Sequence, residues 1–208
     1  MKQFGLDSAD FIKCHFIDFL LSKNSKIIIG NEVMYGTKRN VVDLINIQND
    51  KITAIEIKSN NDTLCRIYNQ IGEYRKIFNY VIIVTTDKFK EKILTSTTND
   101  IGVYIINSDF SISLIRKPKL QKERIKLEML YSINSKFLMK LGNFSYKNGD
   151  SDKIRHFYAK KRISFIQEIL LLYWTEKFQD KFQLFLQERG SFSHVEDLNI
   201  LSSPLLIE

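Results

Sequence analysis

The sequence predicts an α/β core followed by a helical region. Short β-branched segments alternate with amphipathic helical segments through the first half of the chain. One pair of these segments is joined by Asn49-Asp50, a two-residue turn typical of a β-hairpin. After Pro118 the pattern becomes helical. The change near 116–118 separates a predicted core, residues 1–116, from a predicted helical region, residues 117–208.

The predicted core elements follow in the order α-β-β-β-α-β. An opening helix begins at an N-cap at Asp7 or Ser8, after which apolar side chains recur at helical spacing. A strand over "KIIIGNEVMY" precedes the hairpin, whose strands are expected near 41–47 and 51–58. The polar stretch 61–63 should cap a helix of about four turns. Further elements are a strand at "YVIIVTT", a helix at "DKFKEKIL", a strand at "GVYIIN", an edge strand at "ISLIRK", and C-terminal helices over 119–141, 153–175 and 176–188.

Charged residues inside the hairpin are its unusual feature. A register counted outward from the two-residue turn places Asp43 opposite Glu56, and period-two alternation puts Lys58 on the same face. Directly opposed like charges destabilise a sheet unless a positive group lies between them. A metal ion is one such group. An exposed strand face with ordinary charges is the alternative.

Composition predicts a folded, cytoplasmic protein. Of 208 residues, 44% are hydrophobic and 26% are charged. The longest apolar stretch, 169–174, is too short to span a bilayer, and acidic residues stand near the start, where a signal peptide would be apolar. Cys14 and Cys65 have no partner at metal-binding spacing, which favours two reduced structural thiols. We therefore expect no membrane association.

Basic residues are concentrated in one segment. Residues 116–162 hold 14 Lys/Arg and 4 Asp/Glu, in a chain of net charge +7, and such blocks are typical of surfaces for polyanions. Phe157 and Tyr158 interleave with the cations, which suits base stacking. A solvated helix face is the alternative, and the acidic stretch after 163 either covers this surface or mediates a homodimer. The nucleic-acid-binding candidates here are Lys153, Arg155, Lys160, Lys161 and Arg162.

The hairpin residues resemble the motif of the PD-(D/E)XK nuclease superfamily, which has the restriction-endonuclease-like fold. The matching residues are the strand aspartate Asp43 and the triplet Glu56-Ile57-Lys58, preceded by the acidic residue Glu32. The order of these residues and their strand context carry the resemblance, since the motif itself is short. The name-giving proline is absent, because valine precedes the aspartate.

The helix after the hairpin extends the resemblance. Gln70 and Tyr74 are similar to the Q-x-x-x-Y motif of one branch of the superfamily, so the likeness covers about residues 7–107. On a helical wheel Gln70 falls within the apolar stripe, where a buried amide needs partners; a position at the edge of the stripe is the alternative. The resemblance implies that both side chains help to hold a nucleic acid backbone. Arg66, one turn earlier, is a further candidate for a phosphate contact.

The resemblance implies a central mixed sheet flanked by helices and a Mg²⁺-dependent phosphodiesterase, with Mn²⁺ as a substitute and DNA favoured over RNA. Mg²⁺ prefers oxygen ligands and takes one or two carboxylates, which Asp43 and Glu56 would provide together with the Ile57 carbonyl. Lys58 would orient the attacking water and stabilise charge. Glu32 would hold a second metal or a metal-bound water; an exposed strand glutamate is the alternative. A second hypothesis is a catalytically inactive nuclease-fold protein that acts as a nucleic-acid-binding or assembly subunit.

Overall fold

A computed structural model describes residues 5–144 and 151–202. Its centre is a mixed six-stranded sheet whose strands lie in chain order. The first three strands pair antiparallel, the third to fifth pair parallel, and the sixth pairs antiparallel at the edge of the sheet. The hairpin and the edge position of the last strand agree with the sequence prediction. The strands are β1 (Ile28–Tyr35), β2 (Asn40–Gln48), β3 (Lys51–Lys58), β4 (Tyr80–Thr86), β5 (Gly102–Ile106) and β6 (Ile112–Arg116). The predicted α/β class is confirmed at this level.

Helices flank the sheet on both faces. The opening helix begins after Ser8, one of the two predicted N-caps, whose side chain accepts a hydrogen bond from the Phe11 N–H at 3.3 Å. No helix in the described ranges is long and apolar enough to cross a membrane. The helices are α1 (Ala9–Lys23), α2 (Ile67–Arg75), α3 (Lys90–Ser96), α4 (Lys126–Tyr131), α5 (Ser135–Leu141), α6 (Ser151–Ala159), α7 (Ile163–Glu188) and α8 (Leu198–Leu201).

The predicted hairpin turn is confirmed. Asn49 and Asp50 have φ angles of 50° and 57°, the left-handed conformation that a tight two-residue hairpin turn requires at both central positions. Gln48 pairs with Lys51, so the counted register is also confirmed near the turn. The helix that follows is shorter than predicted. It begins at Ile67 because the carboxylate of the preceding loop, at position 62, closes a turn with Ser59 instead of capping a helix.

The helical region is more interrupted than the sequence pattern predicted. Residues 117–125 do not begin a helix at 119, because their backbone N–H groups donate to carbonyls of the core. These bonds run from Lys119 to Asp100, from Gln121 to Asn79 and from Ile125 to Lys76. The predicted helix over 153–175 is also divided, since the Lys126 ammonium donates to the carbonyls of Ala159 and Lys161 where α6 ends.

Two hydrophobic cores lie on opposite faces of the sheet. On one face, the first core contains residues of α2, α4, α5, α6 and most of α7. On the other face, the second core contains residues of α1, α8 and the end of α7. Helix α7 contributes Trp174 and Phe178 to the first core and Phe182 to the second. Phe78 stacks on Trp174 at 5.4 Å, so the helices after position 118 share a core with the sheet. The predicted boundary near 116–118 coincides with the end of the sheet, and the division into two domains stays a prediction.

Candidate active site

Strands β2 and β3 separate at Asp43. Their ladder ends at the Leu44–Ile55 pair, one pair before the predicted Asp43–Glu56 pairing. Beyond this point β2 pairs only with β1 and β3 only with β4. The Asp43 carboxylate occupies the gap, where its Oδ2 accepts the Ile57 N–H at 2.8 Å. We name the cluster around this gap the fork site; its members are Asp43, Glu56, Lys58, Gln70 and Tyr74.

Glu56 is the most enclosed acid of the fork site, with 2% of its surface exposed. Its Oε1 accepts from Lys58 Nζ at 2.7 Å and from Gln70 Nε2 at 2.5 Å, while Oε2 accepts from the Tyr74 hydroxyl. Lys58 is itself 5% exposed. Buried charges are tolerated when they are paired and hydrogen-bonded, and this carboxylate has an ammonium and two neutral donors. The fork site therefore holds a buried ion pair in which both oxygens of the carboxylate accept hydrogen bonds.

Asp43 has fewer partners. Within the described residues, Ile57 is the only hydrogen-bond donor to its carboxylate. Burial, followed by the nearby Glu56 carboxylate, raises the pKa of Asp43 to about 7, against the opposing effects of the Ile57 hydrogen bond, Lys13 and Lys58. The fork site thus places two carboxylates close enough to disfavour simultaneous ionisation.

Gln70 and Tyr74 reach Glu56 from α2. The apolar stripe predicted for this helix is confirmed, since Ile67, Ile71 and Tyr74 are buried. Tyr74 is packed against the ring of Tyr35 at 5.4 Å and is fully enclosed, so it supports the Glu56 carboxylate and does not lie where a nucleic acid backbone would contact it. Gln70 Oε1 is buried and has no hydrogen-bond partner among the described residues. The amide that contacts Glu56 therefore also carries a buried acceptor oxygen without a donor among the described residues.

Glu32 lies level with Asp43 on the neighbouring strand. The Asn31–Leu44 and Val33–Val42 pairs flank the two residues, while the ladder skips the Glu32–Asp43 pair itself. Glu32 has a φ of 50°, a left-handed conformation that costs a non-glycine residue about 1–3 kcal/mol. Such strain is found most often at functional sites.

Lys13, in α1, contacts Glu32 and was not among the residues predicted from the sequence. Its ammonium lies 3.3 Å from Glu32 Oε1 and 3.3 Å from Asp10 Oδ1, and the residue is 3% exposed. Burial disfavours the ammonium, but Asp43, Glu32 and Asp10 outweigh that effect and raise the pKa of Lys13. The sequence did indicate that this lysine is buried, because Lys13 precedes Phe16 by three residues and so lies on the apolar stripe of its helix.

The predicted nucleic-acid-binding residues fall into two groups. Arg66 is exposed just before α2, and its side chain makes none of the hydrogen bonds of the fork site. Arg155 behaves differently, with 11% of its side chain exposed. It donates to the carbonyls of Leu130, Ser151 and Ile133, so its guanidinium braces helices instead of facing solvent. The other predicted contact residues of the basic segment, Lys153, Lys160, Lys161 and Arg162, are exposed.

The two aromatic residues of the basic segment also differ. Tyr158 is buried, and its hydroxyl donates to the Leu138 carbonyl at 3.1 Å, so it is a core residue and not the predicted stacking platform. Phe157 is exposed, and the Lys161 ammonium lies 5.3 Å from its ring centroid.

Within residues 5–144 and 151–202, no group of three or more His, Cys, Asp or Glu side chains is arranged to hold a metal ion.

Comparison with known proteins gives two likenesses and a family. A solved structure titled SPO1766 protein of unknown function, from Silicibacter pomeroyi, aligns with 65% of this chain and 90% of its own at 15% identity and a TM-score of 0.42, which supports no conclusion. Protein cII of Enterobacteria phage P4 is 30% identical over 131 residues, 62% of this chain and 48% of that protein, so the match spans about half the length of that relative. The family profile described as Bacteriophage P4 protein cII matches residues 3–202. The chain belongs to the bacteriophage P4 protein cII family.

Proposed function

We propose that this protein is a Mg²⁺-dependent nuclease with a restriction-endonuclease-like core, and that the fork site is its active site. The observation that carries this proposal is the convergence of Asp43, Glu56 and Lys58 where β2 and β3 separate. These three residue types also form the motif that the hairpin resembles. Burying Glu56 and Lys58 beside a second carboxylate carries a desolvation cost, which supports a functional role for the group.

The donor set of the fork site suits one Mg²⁺ ion. Mg²⁺ takes one or two carboxylates and keeps several waters, so a cluster of three acids is not required. Asp43 and Glu56 would hold the ion, with the Ile57 carbonyl as a third ligand. The buried Gln70 Oε1, which has no donor among the described residues, would accept a hydrogen bond from a water in such a site. Glu32 is engaged with Lys13 and would act from further out.

The protein's own side chains would divide the work as follows. Mg²⁺, when bound, supplies a water of lowered pKa and stabilises charge developing on the phosphate. Lys58 donates one of its three N–H groups to Glu56, which leaves the others for the attacking water or a phosphoryl oxygen. Tyr74 and Gln70 hold Glu56 in place from α2. The two strands and this helix thereby fix the orientation of the reacting groups.

The basic segment supports nucleic acid as the substrate, with DNA as our proposal. Lys160, Lys161 and Arg162 are consecutive and exposed between α6 and α7, and within the described residues no carboxylate pairs with them, so they can contact phosphates. Contacts of this type provide affinity that falls steeply with salt. The exposed Phe157 ring beside Lys161 adds an aromatic surface.

Cleavage of labelled single-stranded DNA, duplex DNA and RNA with Mg²⁺ or Mn²⁺ tests the proposal. Lys58→Ala and Asp43→Ala should each lower the rate by about 10²–10³-fold, the effect of removing one preorganised charged group. Lys51→Ala, at the tip of the same hairpin, is the matched control and should cut normally. Cutting that persists in EDTA, or that is unchanged in both variants, would show that the fork site is not a metal-dependent active site.

Metal binding provides a second readout that does not depend on finding the substrate. Mn²⁺ or Mg²⁺ at about one hundred times its Kd should stabilise the folded protein by about 2.7 kcal/mol. Thermal unfolding should show this gain for the wild type and for Lys51→Ala, and lose it in Asp43→Ala. An equal gain in all three proteins would place the metal elsewhere.

A further inference from the structure

A cavity of about 360 Å³ lies between the β1–β2 hairpin and the helical region. Glu32, Met34, Arg39 and Val41 line its strand side, and residues of α4 to α7 line its helical side. Glu32 lies level with Asp43 on adjacent strands. The cavity therefore lies on the β1 side of the fork site, one strand from Asp43, and its described lining does not include the fork-site residues themselves.

The unpaired charge in this cavity is positive. Its two acids have partners, since Glu32 contacts Lys13 at 3.3 Å and Asp152 contacts Arg155 at 3.9 Å. Lys177 is different: in the part of the chain that the structure describes, no carboxylate lies within ion-pair distance of its ammonium. Burial, with Lys181 nearby, lowers the pKa of Lys177. A partly buried cation without a counter-charge is suited to an anionic ligand.

An aromatic side chain accompanies this cation. Tyr173 precedes Lys177 by one helical turn, so both lie on the same side of α7, and both line the cavity. The Lys177 ammonium lies 5.7 Å from the Tyr173 ring centroid, and the ring itself is fixed edge-on against Phe137 at 5.1 Å. Arg39, exposed at the hairpin turn, adds a second cation at the strand side. An aromatic surface beside cations is the combination that binds a base and its phosphate.

The size of the cavity limits the ligand. Its volume is near the lower end of the range for small-molecule sites, about 300–1,000 Å³. We propose that this cavity holds one nucleotide of a bound nucleic-acid strand, with the base against Tyr173 and a phosphate on Lys177 and Arg39. The inference rests on the proposed function, because it places an unpaired nucleotide of the substrate beside the fork site. A stacked, paired duplex does not enter such a space, so the preferred substrate carries a single-stranded segment or an unpaired end.

Binding measured in EDTA, where no metal supports cutting, tests this inference. Fluorescence anisotropy of a labelled single-stranded DNA oligonucleotide, and of its duplex, would compare the wild type with Tyr173→Leu and Lys177→Gln. Each variant should weaken single-strand binding about fivefold or more, which corresponds to the lower range of one base-stacking contact. Lys177→Gln should also reduce the slope of log affinity against log salt by about one, as the loss of one phosphate contact requires.

The matched control is Lys51→Gln, which removes the same charge from an exposed position at the hairpin tip. It should leave single-strand affinity within twofold of the wild type, and duplex affinity should change by less than twofold in all variants. Thermal unfolding checks that each variant is folded. If Tyr173→Leu fails to fold, Lys177→Gln decides the outcome alone.

Three results would overturn part of the argument, and they are distinguishable. Unchanged single-strand affinity in both cavity variants, in a protein that cuts nucleic acid, overturns the cavity inference alone. Reduced affinity in the variants of a protein that cuts nothing overturns the proposed function and leaves the cavity inference standing. If a free deoxynucleoside 5′-monophosphate binds and only its binding is lost in the variants, the cavity takes a free nucleotide and the strand assignment is overturned.

Discussion

The fork site and the basic segment 116–162 handle charge in opposite ways. At the fork site Glu56 and Lys58 are enclosed, and the carboxylate accepts three hydrogen bonds from the protein. In the basic segment Lys160, Lys161 and Arg162 are exposed. Enclosed charges depend on fixed partners, whereas exposed charges interact weakly and are screened by salt. The difference indicates a preorganised centre at the fork site and, in the basic segment, a surface whose side chains can adapt to a ligand.

Removing the central acid of the fork site should have the largest effect on stability. Glu56→Ala leaves the Lys58 ammonium and two neutral donors enclosed without an acceptor, which should lower the free energy of unfolding by about 3–5 kcal/mol. Urea unfolding measures this loss. The control from the basic segment is Glu123→Ala, an exposed carboxylate whose loss should change stability by less than about 0.5 kcal/mol. Equal effects of the two substitutions would remove the contrast between the regions.

Arg155 lies in the basic segment, but its guanidinium is held by hydrogen bonds as the fork-site residues are. Arg155→Ala should lower the free energy of unfolding by about 1–3 kcal/mol, since three backbone carbonyls lose their donor. Arg162→Ala should change stability by less than about 0.5 kcal/mol. It should instead weaken DNA binding and reduce the salt slope by about one. Urea unfolding should show the loss of stability in Arg155→Ala, and salt titration of DNA binding should show the reduced slope in Arg162→Ala. A salt slope reduced equally in both variants would contradict this prediction.

The smallest effect is expected from the ionisation of Asp43. Its pKa in the folded protein, about 7, lies above the ordinary 3.8, so between these values the folded protein retains a proton that the unfolded chain has released. Stability from this group is therefore fully present below about pH 4 and is lost as the pH rises through 7. Because Asp43 is partly exposed, we expect solvent screening to reduce the effect of its ionisation to about 1 kcal/mol. Asp43→Asn does not titrate and should therefore exceed the wild type in Tm by about 2–4 °C at pH 8 but not at pH 4.

The measurement is thermal unfolding in EDTA across this pH range. Asp50→Asn provides the matched control, because it makes the same chemical change at an exposed position in the same hairpin. Its Tm should follow the wild-type profile at every pH. If the profile of Asp43→Asn also ran parallel to that of the wild type, the Asp43 carboxylate would be solvated and not enclosed beside Glu56.

The two regions also differ in how much of them could be predicted. In the hairpin, turn geometry and period-two alternation are local, so Asp43, Glu56 and Lys58 were assigned to one end of it from the sequence. In the helical region local periodicity predicted longer helices than the structure contains. Gln121 and Ile125 donate to core carbonyls instead, because hydrogen bonds to distant residues competed successfully with helix formation.

Local sequence patterns predicted the α/β order, the position of the hairpin turn, an N-cap at Asp7 or Ser8 and the apolar stripe that carries Tyr74. Each of these depends on residues within about one or two helical turns of one another. Three features are visible in the folded protein alone: β2 and β3 separate at Asp43, Lys13 reaches Glu32, and a cavity opens between the strands and α7. These features arise from the packing of elements distant in sequence, where side-chain volume and non-local hydrogen bonds choose among arrangements that local propensity leaves equivalent.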